Sequence, residues 1–233
     1  TSNKWYAMGQ LQDEYIELLG KEKGAKRFAE DFAESMAATT GGADPGSNLL
    51  MANYGNYMRE RGIPIPGSSY QMPHPVGGRY VTGNMAMYNK HVQEGHPMLA
   101  DVHPKRHNFS GNFQGFLDNA TIDEQMSRGL IGQNSPPGST YGIVEKMVTE
   151  EAANRGIPAA EMQDVAWAGF KGSEGKPMIE WVNETIARTA KITGKSQKEV
   201  VRDWILKRAP MYGVAGMTGT QVMMQTIMED ENL

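Results

Sequence analysis

Ser196-Gln197-Lys198-Glu199-Val200-Val201-Arg202-Asp203-Trp204-Ile205 is the stretch from which the fold is read. Ser196 and Glu199 stand at capping-box spacing. The hydroxyl accepts one of the free backbone N–H groups at a helix start, and the carboxylate reaches back for another. Val200, Val201, Trp204 and Ile205 then follow at three-to-four spacing, so a helix is predicted over 197–208. Working outward, residues 141–154, 159–170 and 178–192 carry the same periodicity, with Pro158 and Pro177 near two of the starts. Upstream, Tyr6, Leu11, Tyr15, Leu18 and Leu19 define a first helix over 4–19, stopped at Gly20. Ala25, Phe28, Ala29, Phe32, Ala33, Met36 and Ala37 define a second over 21–39. The turn Asp44-Pro45-Gly46-Ser47 leads into a third over 48–61, ended by Gly62. A weaker helical pattern covers 85–99, and further helices are predicted over 104–116 and 121–130. No period-2 run of Val, Ile and Thr is long enough for a sheet, and no solenoid repeat is present. The expectation is an all-α, multi-helix bundle of about ten helices.

Pro64, Pro66, Pro73 and Pro75 alternate with Gly67, Gly77 and Gly78, so residues 62–83 are expected to form an irregular insert. Gly132 to Gly138, Gly-Gln-Asn-Ser-Pro-Pro-Gly, reads as a linker. The chain thus divides into an N-terminal helical region, 1–131, holding the insert, and a C-terminal one, 139–233, the two sharing one core. With 233 residues, 39% of them hydrophobic, the chain can bury a sizeable core and is not a disordered tail. No run approaches the ~18 apolar residues of a membrane span, and the first residues lack a secretory-signal stretch, so a soluble protein is expected. Thr1 in place of Met implies that residues once preceding it have been lost. The formal charge of −4 argues against a strongly basic, non-specific nucleic-acid binder. Without cysteine there is no disulfide, thiolate nucleophile or zinc-thiolate site.

The five histidines, His74, His91, His96, His103 and His107, cluster in mid-chain. Pro104 interrupts the pair His103 and His107 and no zinc signature accompanies it, so they read as loop histidines, with no metal or cofactor expected. Gly77-Gly78-Arg79-Tyr80 lacks the lysine and serine of a phosphate loop and reads as surface. Trp167, Phe170, Trp181 and Trp204 occupy core-like positions. Met217, Met223, Met224 and Met228 suggest a tail helix over 217–228 able to dock on a partner protein.

Leu99 to Arg128, L-A-D-V-H-P-K-R-H-N-F-S-G-N-F-Q-G-F-L-D-N-A-T-I-D-E-Q-M-S-R, holds the candidate chemistry. Lys105 precedes Asp123 by 18 residues, a helix and a turn apart, so a chain folding back through Leu117-Asp118-Asn119 would set the acid beside the amine. The alternative is an exposed helix-start lysine and an aspartate capping the next helix.

These residues resemble the helix-hairpin-helix DNA glycosylase superfamily, whose bifunctional members carry L-P-G-V-G-x-K and, after a helix, V-D-T-H. Leu99, Val102 and Lys105 match the first motif; Ile122, Asp123 and Arg128 match the second, with the endonuclease III-like Lys-to-Asp spacing. Asp101 and His103 replace the two hairpin glycines, and Gln125 replaces the histidine. A carboxylate at Asp101 would repel a phosphate, and the glycines that let backbone N–H groups approach one are gone. The resemblance implies that Lys105 attacks the sugar C1′ of an extruded nucleotide while Asp123 stabilises the charge that develops. Arg106, Arg128 and Gln125 are then the expected DNA contacts. Met36 to Thr40, Asn48 to Ala52 and Glu161 to Phe170 are similar to a group of uncharacterised phage proteins, which implies a viral protein of the host cytoplasm or virion. Two functions follow as expectations. One is a phage DNA glycosylase with abasic-site lyase character; the other is a non-enzymatic virion or assembly protein that keeps a glycosylase-like scaffold.

Overall fold

The computed structural model describes residues 5–65, 81–133, 138–172 and 175–212. Among them every regular element is helical, as expected: α1 (Gly9–Leu19), α2 (Lys21–Phe28), α3 (Ser35–Thr39), α4 (Pro45–Arg61), α5 (Val81–Tyr88), α6 (Pro104–Phe113), α7 (Glu124–Ile131), α8 (Gly138–Arg155), α9 (Ala159–Lys171), α10 (Met178–Thr193) and α11 (Gln197–Lys207). No helix among the described residues is long and apolar enough to cross a membrane. The tail over 217–228, most of the insert, His74 and much of the segment 132–138 lie outside the described residues.

The chain gathers into two compact units that are not sequential. One takes the residues up to Gln10 with Pro97–Ile179; the other takes Leu11–His96 with the residues from Glu180. The segment 132–138 joins α7 and α8 inside the first unit.

In the first unit, Ala120, Ile122, Met126, Tyr141, Val144, Val148, Ala152, Ala159 and Met162 form the core beneath α7, α8 and α9. The α8–α9 turn is set by Gly156 at φ +65°, where the Gly156 N–H donates to Ala153 O and the Ile157 N–H to Ala152 O. That C-cap turns the chain within three residues, so the two helices pack as neighbours. The N-terminal strap closes the same unit. Tyr6 lies edge-on to Phe109 (6.0 Å) and Phe113 (5.3 Å), and the Met178 N–H donates to Trp5 O. Phe170, expected in the core, is instead 46% exposed and covers Gly129, where a Cβ would stand 2.3 Å from its ring. The absent side chain at Gly129 is what lets the ring lie on α7.

In the second unit, α2, a π-helical turn (Ala29–Glu34) and α3 realise the single helix read over 21–39. A π turn frees backbone carbonyls, and here neighbouring side chains take them: Ser35 Oγ donates to Glu30 O (2.8 Å), and Asn56 Nδ2 to Asp31 O (2.6 Å). Asp44 caps α4 by accepting the Ser47 N–H, with Pro45 in the first turn. Buried asparagines on α4 tie it to its surroundings. Asn48 Oδ1 accepts from Thr39 Oγ1 (2.6 Å), and Asn53 pairs with Ala209 O and the Met211 N–H. The buried Asp31 carboxylate accepts from Arg27 (2.6 Å), Arg59 (2.6 Å) and Arg208 (3.0 Å); Glu60 supplies a second acid to Arg208. Arg208 is the one described non-glycine residue at positive φ, +49°. Its ion pairs offset a left-handed backbone that costs on the order of 1 kcal/mol. The capping box of α11 forms as read, with the Ser196 N–H donating to Glu199 Oε2 (2.8 Å) and the Glu199 N–H to Ser196 Oγ. Trp204 is buried against Tyr15.

Several boundaries move. The weak pattern over 85–99 becomes α5 plus a π-helical turn (Asn89–Gln93); Gly95, at φ +74°, ends it, and Pro97 keeps a helix from resuming at His96. α6 ends at Phe113 rather than 116. α7 starts at Glu124 rather than 121, because residues 120–122 are buried and their backbone groups are bonded by side chains of other helices.

Candidate active site

α6 begins at Pro104, whose missing N–H is one that no intrahelical partner would have taken. Lys105 and Arg106 follow in its first turn. Lys105 is half-buried, and burial lowers the pKa of its amine from the usual lysine value. The Arg106 charge pushes the same way, while Asp123 and Glu124 oppose it. The positive end of α6 also disfavours an ammonium. Arg106 is half-buried too, its pKa is lowered by burial, and its buried Nε has no hydrogen-bond partner among the described residues. The structure thus brings Asp123 within electrostatic reach of Lys105, although among the described residues no ion pair joins them.

Asp123 is the N-cap of α7, its Oδ1 accepting the Met126 N–H at 2.8 Å. The capping role read as the alternative is therefore present, and it coexists with the charge that acts on Lys105. Gln125 and Arg128 are exposed on α7.

The residues that position this pair carry no motif. The segment 120–122 is held by four side chains from three helices, α6, α8 and α9. Asn108 Nδ2 donates to Ala120 O (2.9 Å) and Asn112 Nδ2 to Thr121 Oγ1 (3.1 Å). The Thr121 N–H donates to Gln163 Oε1 (2.6 Å), and the Ile122 N–H to the Tyr141 hydroxyl (3.1 Å). Asn108 and Asn112 are one turn apart on α6, the helix that carries Lys105, so one rigid element presents the amine and fixes the segment leading to Asp123. Their signal in the sequence was two amides at i,i+4 beside Phe109 and Phe113, polar groups on an otherwise buried face. Asn108 also donates to Glu145 Oε1 (2.5 Å), whose pKa is raised chiefly by burial. Burial likewise pushes the Tyr6 and Tyr141 phenols upward. On α9, burial raises the Asp164 carboxyl to about 7, against the Trp5 N–H that it accepts.

The turn ahead of α6 departs from a glycine hairpin. The Val102 and His103 N–H groups both donate to Leu99 O (3.2 and 2.8 Å), and Asp101 is exposed. The His107 Nδ1–H donates to Met98 O (3.0 Å), while His91 Nδ1 meets His96 O (2.8 Å). Among the described residues, no group of three His, Asp or Glu side chains could hold a metal ion.

No family model, curated protein or solved structure matches the chain.

Proposed function

We propose that this protein is a DNA glycosylase-like enzyme with abasic-site lyase character, with Lys105 as nucleophile and Asp123 as its carboxylate partner. The observation that carries the reading is the half-buried Lys105 amine in the first turn of α6, in electrostatic reach of Asp123 and, among the described residues, in no ion pair; burial lowers its pKa. A lysine that sheds its proton more readily has more of its free lone pair available for attack. On a damaged nucleotide the amine nitrogen bonds to C1′ and the base departs with the electrons of the glycosidic bond. Loss of the amine proton and opening of the sugar ring then give the imine. Abstraction of a C2′ proton from that imine expels the 3′ phosphate. Asp123 stabilises the positive charge at C1′ and takes part in proton transfer.

The test is borohydride reduction in the presence of DNA containing an abasic site. Covalent capture by the native protein that disappears in Lys105→Ala and rises with pH to a plateau supports the reading. Absence of capture with both abasic and base-damaged DNA refutes it.

A second reading, a non-enzymatic assembly protein, is favoured by one observation. Ile143 (59% exposed) and Met147 (44% exposed) sit at i,i+4 on the solvent face of α8, in the geometry of a helix contact.

A further inference from the structure

α8 buries Tyr141, Val144, Val148 and Ala152 in the core of its unit and leaves its opposite side in water. There Gly142, Ile143, Lys146, Met147, Glu150 and Ala153 are all exposed. Ile143 and Met147 leave 59% and 44% of their surface uncovered. Gly142 lies one turn inside the helix, where glycine is a poor helix former, and a Cβ added to it would meet nothing within 4 Å. The fold makes no use of that missing side chain. A second helix laid on this face would, since small residues at a contact let two helix axes approach. Lys146 and Glu150, an ion pair at 3.6 Å with both partners exposed, leave the face neutral although the chain carries −4.

We propose that this face of α8 binds α8 of a second copy of the chain, antiparallel, about a two-fold axis at the level of residue 148. The contact does not depend on the activity proposed above. Charge order selects the occupant. In an antiparallel pair centred there, residues equally far from 148 stand opposite one another. Lys146 then faces Glu150 of the second copy, and Glu150 faces its Lys146. A parallel pair in register would set like charges level with each other. The same antiparallel register puts Ile143 against Ala153 of the second copy, a large side chain against a small one, at both ends of the contact. Met147 lies beside the axis and meets its own counterpart. Such self-complementarity is what an isologous contact requires. A nucleic acid would call for an excess of cations, which this face lacks. One helix pair covers less than the ~800 Å² per partner of a standard interface, so the dimer is a weak one.

The test uses the full chain. Sedimentation velocity from ~5 to ~500 µM should show monomer and dimer in concentration-dependent exchange. Lys146→Glu and Glu150→Lys should each weaken the dimer by about tenfold or more, because each sets like charges opposite one another twice. An equimolar mixture of the two variants should restore association, because every contact then pairs an acid with an amine. The chain has no cysteine, so introduced thiols report the register directly. Ile143→Cys mixed with Ala153→Cys should oxidise to a heterodimer. Either variant alone should not, since its two thiols would stand ~15 Å apart along the axis. All four positions are exposed, so the substitutions leave the core intact. A monomer at every concentration overturns the proposal, and so does a dimer indifferent to the charge reversals. Cross-linking of one cysteine variant alone as efficient as that of the mixture also overturns it, because the helices would then not be antiparallel about residue 148.

Discussion

Replacing Tyr141 by Phe removes one oxygen and nothing else, and that oxygen accepts the Ile122 N–H at 3.1 Å. Ile122 is 1% exposed, so water does not substitute for the lost acceptor without a local opening. A buried N–H left without a partner costs ~1–3 kcal/mol, while the isosteric ring leaves no cavity to add to the penalty. Against a whole-domain stability of ~5–15 kcal/mol this is a large, measurable share. In urea, with a slope of ~1–3 kcal/mol per molar, the midpoint for the unit containing α7–α9 should fall by roughly 1 M with no change in slope. Hydrogen exchange gives the local readout: the Ile122 amide should lose ~10–100-fold of its protection, and the Thr121 amide, held by Gln163 at 2.6 Å, should change less. A midpoint unchanged within error, with Ile122 still protected, would show that the Tyr141 hydroxyl does not hold the segment before Asp123. The positioning argument built on it would then be wrong.

Asp31→Asn should destabilise the other unit by ~3–5 kcal/mol, because three arginines lose the carboxylate between them; calorimetry showing an unchanged transition would contradict the network. Asp164→Asn tests a pH dependence. Burial raises this carboxyl from 3.8 to about 7, so its contribution to stability is full below pH 3.8 and is lost as the pH rises through about 7. The variant should flatten stability across that interval and be the more stable protein at pH 8, as read by thermal melts at each pH. Lys105→Met should raise thermal stability at neutral pH. The lowered pKa means that the folded state holds this proton less firmly than the unfolded chain, so the ammonium burdens the fold below that pKa. A melting temperature that falls in Lys105→Met would reverse the sign of that argument.

Helix identity was legible in the sequence wherever a cap and a period coincided. Ser196 with Glu199 forms as read, because capping is local chemistry that sequence spacing expresses, whereas Asp44-Pro45-Gly46-Ser47, read as a turn, is the start of α4 with Asp44 as its N-cap. The π-helical turn at Asp31 was not legible. Its widening depends on Asn56 and Ser35 being present to take the released carbonyls, and Asn56 lies on another helix. At the candidate site, the capping role of Asp123 followed from its place ahead of α7. What escaped was the support from Asn108, Tyr141 and Gln163, residues separated by up to 42 positions from the groups they hold. Phe170 escaped for a different reason: its period placed it on a core face, but Gly129 gave it a shelf at the rim.

The partners Asp31 and Arg208 are 177 residues apart in the chain. On a ribosome, the first helices would emerge with a buried-type carboxylate whose last guanidinium has not yet been translated. The stretch from Pro97 to Ile179, which holds the candidate site, is complete before Arg208 is made, so the unit around Asp31 closes only when residues from Glu180 onward join Leu11–His96.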